Sequence, residues 1–264
     1  MSKNFQVKLP NRGSVTVSGP DARDFLQGLI TQDIALLDDQ DILYSCLLTP
    51  QGKFHHDFFI RKTDDSYILD CEGGDRPRDL ADRLSLFKLR SHIKITHDDE
   101  TPVIAGNGDQ PDKAFIDPRH PDLGWRFYGD LDAPDDFDLY DAHRLSLGIP
   151  DGSRDLILNK STIIESRLHH LNAVSFKKGC YMGQELTARM YYRGLAKKHL
   201  YPVRVTGTIT RGDEIRTKDD KLAGEMRSIS GDLGIALLKD DKRDSLGSEP
   251  VIPFTCEWMK HDKD

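Results

Sequence analysis

Phe176-Lys177-Lys178-Gly179-Cys180-Tyr181-Met182-Gly183-Gln184-Glu185-Leu186-Thr187-Ala188-Arg189 is the stretch that looks like a site rather than a scaffold. A cysteine follows two lysines and a glycine, and a second glycine opens a segment with helical spacing that carries Gln184, Glu185 and Arg189. Glu185 and Arg189 lie four apart, so on a helix they share a face and can pair. Cys180 then falls just ahead of the helix N-terminus, where unpaired N–H groups and the dipole favour an anion. Lys177 and Lys178 act in the same direction, so the thiol pKa is expected to be lowered. The competing reading is an inert buried thiol, the commoner fate of a free cysteine. Polar residues gathered around two glycines favour a site.

Working outward, the 264 residues exceed one typical domain and predict two or three compact units. Charged residues make up 31% and the mean hydropathy is −0.55, the balance of a water-soluble chain. No apolar run approaches the roughly 18 residues of a membrane helix. The opening residues show neither an apolar signal core nor an Arg-rich amphipathic start, so no secretory or transit segment is expected. Cysteines 46, 71, 180 and 256 make no CxxC pair, which argues against a zinc site or a disulfide framework and for reduced thiols. The net charge of −7 argues against general nucleic-acid binding. Residues 177 to 204 hold seven basic residues and one acid, leaving −13 on the rest. Such a basic segment suits a polyanionic small ligand, or is simply a solvated helix face.

Alternation predicts a strand–turn–strand hairpin over 5–19 around Pro10-Asn11-Arg12-Gly13. A short helix follows, with Phe25, Leu26, Leu29 and Ile30 as its apolar stripe, then a buried strand over 42–48. Two strands over 53–72, an amphipathic helix over 76–90 and a strand at 92–99 make a ferredoxin-like α+β pattern. A helix is expected near 137–147. From about 199, short strands and glycine turns predict a small all-β barrel. His55 and His56 are neighbours on a strand and should face opposite ways, so they cannot share an ion, and no metal ligand is expected.

The segment 174–189 resembles the K-G-C-Y-x-G-Q-E-x-x-x-R signature of the YgfZ family of folate-binding, iron–sulfur maturation proteins, relatives of the aminomethyltransferase (T-protein) of glycine cleavage. The likeness extends to Gly19-Pro20-Asp21-Ala22, Phe25 to Gly28, Thr31-Gln32-Asp33 and Leu47 to Lys53. It continues in Asp117-Pro118-Arg119, in Arg144 with Leu147 to Pro150, in Ile163 to Ser166, and in Gly224-Glu225 with Ser228. It implies a three-domain ring of α+β class with ferredoxin-like units and a small C-terminal β-barrel. The implied division is 1–46 with 100–195 as a folate-binding domain, 47–99 as a ferredoxin-like domain, and 196–264 as the barrel. It further implies tetrahydrofolate as cofactor, and iron–sulfur client proteins or assembly factors as partners, with no membrane.

Carried onto this chain, the motif positions are Lys178, Gly179, Cys180, Tyr181, Gly183, Gln184, Glu185 and Arg189, with Cys180 the reactive thiol and Lys178 its aid. T-protein chemistry uses an Asp-Asp pair after a glycine turn. Here Gly52-Lys53-Phe54-His55-His56-Asp57 keeps at most one carboxylate, so aminomethyl transfer is not expected. For folate itself the expected contacts are Asp57, a buried Glu165 against the amino-pyrimidine edge, and Arg193 and Lys197 against the glutamate tail. The leading reading is a tetrahydrofolate-binding accessory factor of iron–sulfur assembly or repair, in a bacterial cytosol, or the mitochondrial matrix for a eukaryotic source. The alternatives are a one-carbon transferase and a degenerate module without ligand.

Overall fold

The structure, a computed structural model, describes residues 4–247 and 250–260. Three sheets carry the chain. The first contains β1 (Phe5–Lys8), and the second receives β2 (Arg12–Ser18), which is followed by helix α1 (Ala22–Gln27). Then come β3 (Ile42–Leu48), β4 (Phe54–Lys62), β5 (Ser66–Glu72), helix α2 (Arg76–Leu86) and β6 (Lys94–Asp98). The chain returns to the first sheet with β7 (Val103–Asn107), β8 (Phe115–Ile116) and β9 (Trp125–Tyr128). Helices α3 (Phe137–Ser146), α4 (Gly152–Asp155) and α5 (Gln184–Arg193) lead to the third sheet. That sheet is β10 (Lys198–Val205), β11 (Glu214–Arg216), β12 (Leu222–Ser230), β13 (Leu233–Lys239) and β14 (Val251–Pro253).

Strand orders are β1-β7-β9-β8, β3-β4-β5-β2-β6 and β11-β12-β13-β10-β14. In the second sheet β2 pairs antiparallel with both β5 and β6, so those two run parallel with β2 between them and α2 crossing over. That is the split βαβ of a ferredoxin-like unit. The expected hairpin over 5–19 does not form. β1 pairs with β7 instead, and Asn11, at φ +57°, turns the chain from one sheet into another. Across the boundary expected at residue 47, β2 and β3 hydrogen-bond into the sheet of β4 to β6. Helix α2 stops at Leu86 rather than running to residue 90, and Leu89 beyond its end is 89% exposed.

β3 is buried at every position because both faces of its sheet are covered. Tyr44, Cys46 and Leu48 pack with Leu145, Ile149, Leu168 and Leu200. Leu43 and Leu47 pack with Leu26, Ile30 and Leu80 under the two helices. Buried ion pairs join the sheets across the apolar layers. Asp70 on β5 accepts from Arg12 Nε at 2.8 Å, from Arg126 at 2.7 Å and from Tyr128 Oη at 2.9 Å. Burial alone would raise its pKa, but Arg12 and Arg126 hold the carboxyl below the usual carboxylate range. Arg144 donates to Asp141 and Asp155, each at 2.6 Å, and to Ser228 Oγ of β12 at 3.2 Å, which ties α3 to the barrel. Arg119 grips Asp117 with two bonds, at 3.0 and 2.7 Å, and donates to Tyr140 Oη at 2.8 Å. Arg119 with Tyr140 and Arg144 with Ser228 therefore bond across elements, while Asp117 and Arg119 pair within one loop.

Candidate functional site

The cysteine segment is clamped from below by residues 27–32. Lys178 Nζ donates to the carbonyls of Gln27 at 2.7 Å, Ile30 at 2.8 Å and Gln32 at 2.9 Å. The Gln27 carbonyl closes α1, where a helix leaves acceptors unpaired and a cation is favoured. Ser175 N donates to Thr31 O at 3.1 Å and Met182 N to Gly28 O at 3.1 Å. Thr31 Oγ1 reaches Ala173 O at 2.6 Å, and Gln32 Nε2 reaches Asn172 O at 2.7 Å. Tyr181 packs into the core beside Tyr44 and Ile163, and burial pushes its phenol up to about 12.

The other end of the segment is set by a meeting of two glycines. Gly183 caps α5 at φ +81°, and a Cβ there would lie 2.6 Å from Thr49 O and 3.0 Å from Gly52 Cα. Gly52, at φ +76°, has room for a Cβ only 2.7 Å from Leu186 Cβ. The Thr49–Gly52 turn and the start of α5 thus touch backbone to backbone, which only glycine permits. Gly179 is different, since a Cβ there would meet nothing within 4 Å.

Between these anchors Cys180 is exposed, three residues ahead of the α5 cap. Cys46 and Cys71 are buried, and Cys256 is half-buried with its thiol toward Ser146 O at 3.7 Å. Burial pushes Cys71 up to about 12, Cys256 up to about 11, and Cys46 well above the ordinary thiol range. Lys178, expected to aid the thiol, sends its three protons to carbonyls, and its own pKa falls to about 8 through burial, against an opposing pull from Asp33. Glu185 is 92% exposed at its side chain and stands 3.8 Å from Arg189, a solvated pair that holds little of the local fold. On the same segment and on α5, Phe176 stacks on Tyr191 with centroids 4.0 Å apart, and Tyr191, Tyr192, Lys177, Arg189 and Arg193 are exposed.

The four expected folate contacts are not brought together. Asp57 lines a cavity of about 220 Å³ with Arg12, Glu72, Arg126, Asp151 and Arg154. Tyr44 Oη donates to its carboxylate at 2.8 Å. Burial, then the charge of Asp151, raise the Asp57 pKa, while Arg144, Arg119 and Arg12 lower that of Asp151 against its own burial. The pKa values of two carboxyls in one cavity are thereby moved in opposite directions. Glu165 does not line this cavity. It accepts from Thr162 Oγ1 at 2.9 Å and lies 3.7 Å from Lys198. Arg193 and Lys197 are exposed on and after the last turn of α5. Arg12, Asp151 and Arg154 were missed from sequence because Arg12 opens β2 while Asp151 and Arg154 sit on the cap and turn of α4, far along the chain from it.

His55 and His56 do not point apart. The pairing of β3 with β4 runs Leu47 to His56 and then Leu48 to Phe54, so His55 is the extra residue of a β-bulge. Both rings turn to one side, with centroids 4.8 Å apart, and both Nε2 atoms approach Asp79 Oδ2, at 3.1 and 2.8 Å.

Residues 197–260 match the family described as CAF17, C-terminal beta-barrel domain. The fold resembles the crystal structure of glycine cleavage system aminomethyltransferase T from Bartonella henselae, with a TM-score of 0.72 at 16% identity, covering 91% of this chain and 79% of that one. The chain is 34% identical over 229 residues to the iron-sulfur cluster assembly factor IBA57 homolog, mitochondrial, of Mycosarcoma maydis, covering 75% of this chain and 56% of that protein. It therefore spans little more than half the length of that relative. To the iron-sulfur cluster assembly factor IBA57, mitochondrial, of Homo sapiens it is 30% identical over 276 residues, covering 89% of this chain and 77% of the human protein. Identity at this level over three quarters of the human protein, joined to the T-protein-like fold and the barrel, places the chain in the IBA57 family of iron–sulfur cluster assembly factors.

Proposed function

We propose that the chain acts as an accessory factor in iron–sulfur protein assembly, with Cys180 as the donor offered to a client or a second assembly factor. The carrying observation is the contrast among four cysteines: three are wholly or partly buried with raised pKa, and the one in the motif stands exposed on a loop clamped at both ends. Clamping lowers the entropy lost when a partner engages the sulfur. One thiolate is short of the four ligands a cluster usually takes, so the remaining ligands come from the partner. On binding iron, the thiol proton passes to solvent.

The cofactor assigned to the Asp57 cavity is a tetrahydrofolate, as in the YgfZ family whose motif this chain resembles. The cavity is smaller than the roughly 300–1,000 Å³ of most small-molecule sites, which suits the bicyclic pterin with its tail outside. Asp57 replaces Glu165 as the carboxyl facing the amino-pyrimidine edge, because Asp57 lines the cavity and Glu165 does not. The partners are iron–sulfur proteins, and no helix among the described residues is long and apolar enough to cross a membrane. The mitochondrial names belong to the relatives. For this chain we assign a reducing compartment, cytosol or matrix.

The test is complementation of cells lacking this chain, reading the activity of iron–sulfur enzymes. The parent and Cys256→Ser should restore activity and Cys180→Ser should not. Full restoration by Cys180→Ser would remove the thiol from the mechanism. Fluorescence titration with tetrahydrofolate should saturate for the parent and weaken at least tenfold for Asp57→Asn, and equal binding would place the pterin elsewhere.

A further inference from the structure

We propose that His55, His56 and Asp79 form a divalent transition-metal site between β4 and α2, with zinc as the ion that fits its donors. The bulge at His55 supplies what a regular strand cannot, two adjacent imidazoles on one face. The three donor atoms lie within 4.8 Å of one another, and the contacts to Asp79 Oδ2 are 3.1 and 2.8 Å. Ligand atoms in a tetrahedral zinc shell sit about 3.3 Å apart at zinc–ligand distances of about 2.0–2.1 Å, so small adjustments seat an ion. Both rings are buried, and the Asp79 side chain is 38% exposed, which leaves the fourth position open to water.

The hydrogen bonding of His55 points the same way. Its Nδ1 is 3.0 Å from Asn159 Oδ1, and its Nε2 faces the Asp79 carboxylate. With the Asn159 amide in this orientation both ring nitrogens meet acceptors, and a neutral imidazole has one N–H to give. A cation at Nε2 resolves the conflict. The Nδ1–H to an amide oxygen then becomes the outer bond that metal-bound histidines commonly make. Two imidazoles and one carboxylate select zinc or cobalt over the oxygen-seeking magnesium and calcium. Arg76 and Arg83 stand 3.8 and 3.5 Å from the carboxylate and orient it, and Glu72, 3.9 Å from Arg76, offsets one of those charges. None of the three ligands belongs to the cysteine segment or lines the Asp57 cavity, although Glu72 borders both that cavity and this site.

The experiment uses the full chain carrying Cys180→Ser, so that the exposed thiol cannot bind metal, stripped with a chelator and titrated with Co²⁺. One ion per chain is expected, with the intense visible bands of four-coordinate cobalt, displaced by one equivalent of Zn²⁺. His55→Gln and Asp79→Asn should weaken binding by about 100-fold or more, since even outer-shell losses cost 10–100-fold. Asn159→Ala keeps every ligand and should weaken binding by that smaller factor, so it remains decisive if a ligand variant fails to fold. No binding, a six-coordinate spectrum, or equal affinity in His55→Gln would overturn the proposal and leave a proton in the ion's place.

Discussion

Replacing Lys178 by Met separates a structural lysine from one that tunes the thiol. The change leaves three carbonyls, of Gln27, Ile30 and Gln32, facing an apolar chain. A buried acceptor without a donor costs about 1–3 kcal/mol, so three cost roughly 6 kcal/mol in mid-range. Against this, the ammonium itself is poorly placed. Burial takes its pKa from 10.5 to about 8, which corresponds to roughly 3 kcal/mol against the charged form. The net loss on mutation is then about 3 kcal/mol, and a urea midpoint should fall by roughly 1–2 M. The pH dependence follows from the same shift. Between about pH 8 and 10.5 the unfolded chain holds the proton that the folded chain has released, so the parent gains stability as pH rises. Lys178→Met lacks that increment, and the gap between parent and variant should widen from pH 7.5 to 9.5. Alkylation of Cys180 at pH 7.5 should proceed at the parental rate. An unchanged urea midpoint, a gap that narrows with pH, or a several-fold slower alkylation without loss of stability would refute this reasoning and return Lys178 to the thiol.

Asp70→Asn should cost about 3–5 kcal/mol, because it leaves Arg12 and Arg126 buried against an uncharged partner. Since the folded carboxyl is held below its usual range, that stability is complete above about pH 4 and is lost as pH falls. The variant should therefore show a shallower acid limb in denaturation curves, and an identical limb would count against the pair. Gly183→Ala should destabilise by roughly 2–4 kcal/mol through its positive φ and its contact with Thr49 O. Gly179→Ala, with open space around it, should stay within about 0.5 kcal/mol of the parent. Calorimetric midpoints for the two variants in parallel would expose the error if they moved together.

The local periodicities could be read from the chain alone. The buried strand over 42–48, the amphipathic helix beginning at Arg76, the glycine-started helix at 184 and the β-rich end after 199 all depend on spacing that neighbours in sequence set. The cysteine motif marked its segment for the same reason. Tertiary structure decided the rest, because side-chain direction and partner choice are non-local. One inserted residue at His55 reverses the facing of everything before it on β4, so Phe54 and Phe59 share a core although their parity differs. β2 reads as half of a hairpin, yet closes a sheet between two strands that lie 50 and more residues further on. Lys178 has the reach to serve its own neighbour or a distant helix end, and the three carbonyls left open by α1 and its exit settle the choice. The Asp57 cavity gathers charges from β2, β4, β5, β9 and the region of α4, and no spacing along one segment can encode a meeting of five.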